Sequence, residues 1–220
     1  AAAADRIRKF HSVGIPKSWF DECEGYGETI NPIEKVGIYI PGGTATLPST
    51  VLMTAIPAKA AGVSQVIIST PPGPDGTPDP TVLAAAEIAG VDKVFQIGGA
   101  QAISAMAYGT ESVPRVDMVC GPGNIFVTLA KKQLFGEVGL DGLFGPTETL
   151  IIADSSANPT LCAADLVAQA EHDYMATPVL ITTSEEVAIA VHKETKSRAS
   201  NISNCSPSGL ARPTTTKRYA

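Results

Sequence analysis

Apolar positions along the chain fall into short runs separated by alanine-rich stretches. Lys35–Ile40, Gln65–Thr70, Lys93–Ile97, Asp117–Cys120, Thr149–Ala153 and Val179–Thr182 are rich in Val and Ile and mostly apolar throughout. That is the pattern of strands covered on both faces. Between them, helices are predicted at Ser49–Ala61, Pro80–Ala89, Ala100–Tyr108, Ile125–Phe135, Pro159–His172 and Glu185–Lys193. A strand and its helix repeat every roughly 25–30 residues, which predicts βαβ units, a parallel sheet and helices on both of its faces. Pro57 lies inside the first of these helices and predicts a kink or a break. The stretch from Pro71 to Pro80 holds five prolines and reads as a surface connection. Ala4–Pro32 is weakly periodic and predicts a helix leading into irregular structure.

The end of the chain changes character. Lys193–Ala220 carries six Lys or Arg against one Glu, many Ser and Thr, and few apolar residues. Such a composition buries too little apolar surface to offset ordering, so residues 193–220 are expected to form a disordered basic tail. A length of 220 residues with 44% hydrophobic and 17% charged residues otherwise describes a globular protein with a sizeable core. The net charge of −6 argues against nucleic acid as a partner. No apolar run reaches the about 20 residues that would span a bilayer. Cys23, Cys120, Cys162 and Cys205 form no Cys-x-x-Cys pair, so neither a zinc knuckle nor a disulfide framework is expected, and a reducing cytoplasm is the default setting.

Candidate chemistry lies in the connections. Glycine-rich turns follow three of the predicted strands: Pro41-Gly42-Gly43-Thr44, Gly98-Gly99-Ala100-Gln101 and Gly121-Pro122-Gly123-Asn124. In a parallel sheet such turns gather at the carboxyl edge, where α/β proteins bind ligands and where helix N-termini favour phosphate. None matches Gly-x-Gly-x-x-Gly, and no Gly-x-Ser-x-Gly elbow or Walker loop occurs. Gln169 and His172 are three apart on a predicted helix and therefore share a face. Both can ligate a divalent metal, yet two donors are too few for zinc.

Taken together and in order, six segments resemble histidinol dehydrogenases. They are Val36-Gly37-Ile38-Tyr39-Ile40-Pro41-Gly42-Gly43, Gly98-Gly99-Ala100-Gln101-Ala102-Ile103, Gly109-Thr110-Glu111-Ser112-Val113-Pro114, Gly121-Pro122-Gly123-Asn124, Gly145-Pro146-Thr147-Glu148 and Gln169-Ala170-Glu171-His172. The similarity runs from Lys35 to Thr183. It implies a soluble, cytoplasmic homodimeric enzyme of histidine biosynthesis, which oxidises L-histidinol to L-histidine with two NAD in succession. By the same resemblance Tyr39, Gln101 and Asn124 occupy NAD-contacting positions, and Thr147 stands where the family usually has a substrate-contacting Ser. Gln169 and His172 match two zinc ligands that also border the substrate.

The family's layout implies an α/β fold: a Rossmann-like parallel-sheet domain over residues 39–146 plus an incomplete second α/β unit. Residues 1–38 would be part of a discontinuous first domain, and residues 147–192 its return segment, carrying the partial metal and substrate site. Family members run to roughly twice a chain of this size, which would itself make one or two domains. Their general base, a Glu-His pair in a Gly-Pro-Glu-His segment, and two further zinc ligands have no match before Ala220. No catalytic residue is therefore assigned, and the chain is read as a truncated member with an apolar sheet edge left exposed. Two other readings stand beside it: a zinc- and NAD-dependent dehydrogenase of another polyol, such as a sulfopropanediol, and an inactive nucleotide-binding fragment.

Overall fold

The structure is a computed structural model that describes residues 1–42, 47–144, 148–172 and 176–203, without the side chains of residues 171, 172 and 200–203. In chain order its elements are α1 (Ala2–Val13), β1 (Trp19–Asp21), β2 (Tyr26–Glu28), β3 (Lys35–Tyr39), α2 (Pro48–Ala60), β4 (Gln65–Ser69), α3 (Pro80–Ala89), β5 (Lys93–Phe95) and α4 (Gly99–Tyr108). Then come β6 (Met118–Cys120), α5 (Ile125–Gln133), β7 (Gly139–Leu140), β8 (Glu148–Ala153), α6 (Pro159–His172), β9 (Thr177–Thr182) and α7 (Glu185–Ser203). They form two compact units, residues 1–145 and 146–220.

The first unit is built on a five-stranded sheet of order β5-β4-β3-β6-β7, with every pair parallel. Alternation along the strands sends side chains to two separate cores. Val36, Ile38, Ile40, Val66 and Ile68 meet the buried faces of α1, α2 and α3 on one side. Tyr39, Ile67 and Val119 meet α4 and α5 on the other. Burial on both faces explains why these strands read as unbroken apolar runs rather than as alternating ones. The helix over Pro80–Ala89 matches its expected limits because both ends are capped: the Asp79 carboxylate accepts from the Thr81 amide at 2.8 Å, and Gly90 closes the helix in the left-handed region. α2 is not broken at Pro57; it runs on to Ala60 with Val51, Ala55 and Ile56 buried.

Three elements were not expected. Irregular structure over the N-terminal stretch is replaced by an antiparallel β1–β2 hairpin, whose turn is held by Asp21 accepting from the Cys23 and Glu24 amides at 2.9 and 3.0 Å. Trp19 and Tyr26 pack edge to face across it. β7 extends the sheet by a two-residue strand. The expected boundary at Tyr39 falls on the last residue of β3, the middle strand, and residues 1–38 group with the five-stranded unit.

In the second unit β8 and β9 pair in parallel, Glu148 opposite Thr177 through Ala153 opposite Thr182. α6 and α7 cover one face, with Ala163, Leu166, Val187 and Val191 as its core and Ile151 and Leu180 packed against it. Full coverage of these strands was expected, but the structure differs: β8 alternates between exposed and half-buried residues. α7 also corrects the expected start of the tail at Lys193. It continues to Ser203, and Val187 and Val191 anchor it on α6. Residues 204–220 lie outside the described residues. Among the described residues no helix is long and apolar enough to cross a membrane.

Candidate functional site

The sheet order places β3 between β4 and β6, the strands that follow it in opposite directions. This is the topological switch point, where the carboxyl ends of an open parallel sheet leave a crevice for ligands. The three glycine turns lie at this edge, after β3, β5 and β6. Gly43 and Thr44 of the first turn lie outside the described residues.

Tyr39 ties the turns together. Its ring is buried at 4% exposure, and its hydroxyl accepts a hydrogen bond from the Gly99 amide at 3.0 Å. The hydroxyl hydrogen remains as the donor a ligand could use. Gly121, with φ at +106°, lies so close to the Tyr39 carbonyl that a Cβ would collide with it. Thus one residue of β3 touches the turns from β5 and β6. The other two glycine turns are shaped partly by a neighbour: a Cβ on Gly42 or on Gly98 would come within 2.6 Å of the Pro71 ring. Close packing on Pro71, invisible in the sequence, is a reason for glycine there that is independent of any ligand.

Gln101 is exposed in the first turn of α4, and its Oε1 lies over Gly99. Gly98 caps α4 without a side-chain hydrogen bond, leaving amide groups at this helix start for an anion. Asn124 caps α5: its Oδ1 accepts from the Phe126 and Val127 amides, each at 3.1 Å. Its amide nitrogen keeps two hydrogens to donate. Tyr39, Gln101 and Asn124 therefore share one edge, each with a donor that a nucleotide could accept from. Cys120, beside this crevice, is no nucleophile at neutral pH. Burial pushes its thiol up to about 11, and the nearby Asp141 carboxylate adds to the effect.

Sequence reasoning missed an ion pair with a buried lysine beneath the third turn. Lys131 of α5 is 2% exposed, pairs with Asp141, and donates to the Gly121 carbonyl at 3.0 Å. Asp141 in turn accepts from the Gly121 amide at 2.7 Å. A signal was present: Lys131 follows Val127 by four and precedes Leu134 by three, which puts a lysine on the apolar stripe.

In the second unit the Gln169 Oε1 accepts from the Thr149 hydroxyl at 2.7 Å, joining α6 to β8. His172 ends α6, but its side chain lies outside the described residues, as does Thr147. The zinc implied by the family resemblance is not fitted by the described residues alone. Gln169 offers one oxygen, already engaged, and no three His, Cys, Asp or Glu among the described residues group as metal ligands.

A doubly wound parallel sheet with glycine turns meeting at its switch point defines a Rossmann-like α/β protein. The family model described as histidinol dehydrogenase matches residues 1–213, and the chain belongs to the histidinol dehydrogenase family. It is 55% identical over 192 residues to the histidinol dehydrogenase of a Synechococcus species, covering 86% of this chain and 44% of that protein. The Dehalococcoides mccartyi histidinol dehydrogenase is 55% identical over 198 residues, covering 90% of this chain and 45% of its own length. The crystal structure of histidinol dehydrogenase from Elizabethkingia anophelis superposes with a TM-score of 0.84 at 40% identity, over 90% of this chain and 47% of that one. The chain thus spans a little under half the length of these relatives. A NAD-dependent benzaldehyde dehydrogenase from Corynebacterium glutamicum, at 16% identity and a TM-score of 0.54, shares the fold.

Proposed function

We propose that this chain is the nucleotide-contacting part of a cytoplasmic, homodimeric histidinol dehydrogenase, which oxidises L-histidinol to L-histidine with two NAD in histidine biosynthesis. The observation that carries the reading is the junction at Tyr39, where one buried residue holds the turns after β5 and β6 at the switch point. When bound, NAD accepts the hydride. The chain's own residues bind and orient: the α4 N-terminus offers amides to the pyrophosphate, and the Tyr39 hydroxyl, Gln101 and the Asn124 amide nitrogen donate along the same edge. Holding the cofactor in one geometry is the contribution such residues make to the rate. The exposed start of α4 admits the ligand, while the buried Tyr39 ring excludes water behind it.

On the substrate side, Thr147, Gln169 and His172 are proposed to border the alcohol. Gln169 and His172 would be two donors of a zinc set that other residues complete. No segment of the 220 residues matches the family's Glu-His base. Loss of the hydroxyl proton needs such a base, so this chain by itself is expected to bind nucleotide without turnover.

Fluorescence titration of the folded chain with NADH tests the reading, alongside an assay for NADH formation from L-histidinol, NAD and zinc. Saturable binding without turnover is the expected result. A folded chain that does not bind NADH overturns the nucleotide role, and turnover overturns the need for an outside base.

A further inference from the structure

We propose that Lys131 and Asp141 are positioning residues that hold the Gly121–Asn124 turn in its nucleotide-binding conformation; this rests on the nucleotide reading above. The geometry is unusually closed. One glycine has both of its backbone polar groups taken by the two ends of a single ion pair. The Gly121 amide donates to Asp141 Oδ2 at 2.7 Å, and the Gly121 carbonyl accepts from Lys131 Nζ at 3.0 Å, while Lys131 and Asp141 bond each other directly. The Asp141 amide is tied back to the Val119 carbonyl on β6 at 3.4 Å, and the Lys131 ammonium stands 5.4 Å from the centre of the Phe144 ring.

Gly121 needs such a grip. Its positive φ is a conformation with little intrinsic preference, and the residue is pressed against the Tyr39 carbonyl. Three residues further on, Asn124 starts α5, so the orientation of Gly121 sets where the Asn124 amide and the helix N-terminus point. An ion pair with its lysine buried and its carboxylate open to solvent contributes little net stability compared with well-packed apolar side chains of the same volume. Its specific work here is geometric: it supplies one donor and one acceptor at fixed places under a turn that lies beyond the end of β6. Lys131 touches no ligand position and acts only through Gly121.

The test compares the 220-residue chain with the double variant Lys131→Met/Asp141→Leu, which removes both charges together and so does not leave the buried Lys131 ammonium unpaired. Three quantities are read: the thermal transition, amide hydrogen exchange over Gly121–Val127, and the NADH dissociation constant. The expected result is a melting temperature near that of the parent, faster exchange confined to the turn, and NADH binding weakened by roughly tenfold or more. Asp141→Leu alone leaves the buried Lys131 without its partner and serves as the comparison: a general loss of stability there, absent from the double variant, marks the unpaired charge. Unchanged exchange in the double variant, unchanged NADH affinity, or exchange raised uniformly across the molecule would each overturn the proposal. A parent chain that binds no NADH sinks the nucleotide reading instead, and the exchange contrast then still decides whether the pair holds the turn.

Discussion

Ile38, Val66, Ile67, Ile68 and Val119 of the five-stranded sheet are sealed at 0% exposure between helices on both sides, whereas Leu150, Ile152 and Ile181 of the β8–β9 pair stand 52%, 77% and 48% exposed. The strands themselves are similar in composition. What differs is the number of layers: the first unit has helices on both faces, the second only α6 and α7 on one. A sheet needs an apolar partner for each apolar face. The first unit supplies both partners from its own residues, and in the second one face of the β8–β9 pair stays exposed. The candidate nucleotide edge therefore sits on the self-sufficient unit. Gln169 and His172 lie on the unit that is not.

The comparison breaks most visibly under truncation of matched isoleucines. Ile38→Ala should lower stability by about 2–5 kcal/mol, because a cavity remains between the sheet and the α1–α3 layer. Ile152→Ala should change it by less than about 0.5 kcal/mol, since that side chain already meets solvent. Denaturant midpoints of the two variants check this, and equal losses would show that the open face is covered in solution. A smaller effect is expected from Thr149→Val. It leaves the Gln169 oxygen without its 2.7 Å donor, at a cost of about 1 kcal/mol. Hydrogen exchange should show that loss in α6 and β8 while β3 and β4 are unaffected.

The smallest effect is chemical. The Cys120 thiol titrates near 11, well above its usual value of 9.0, so it stays protonated at pH 7.5 and its reactivity should climb only as pH rises toward 11. Alkylation of the native chain at pH 7.5, mapped by mass spectrometry, should modify the exposed Cys23 before Cys120. Equal rates at Cys23 and Cys120 would mean that the crevice beside β6 is open to solvent.

Apart from the two-residue β7, the order of strands and helices from Lys35 to Thr182 was legible in the residues, because parallel strands leave apolar runs that any reader of the chain can see. The β1–β2 hairpin was not. Its strands are short and exposed, and its turn depends on the side chain of Asp21 rather than on a glycine-rich pair. The far half of α7 was missed because its Lys, Ser and Thr read as solvated, although two valines a turn apart fasten its start.

For the candidate site, the sequence by itself determined the family, the three glycine turns and the residue types along the edge, since these are local and follow chain order. Only the tertiary structure decided that Tyr39 reaches the turns of two other strands, that Pro71 packs on Gly42 and Gly98, that Thr149 engages Gln169, and that Lys131 and Asp141 grip one glycine. Each of these joins residues distant along the chain or separated by a turn of unknown course. Their contacts depend on strand order and register, which hydrophobic periodicity does not encode.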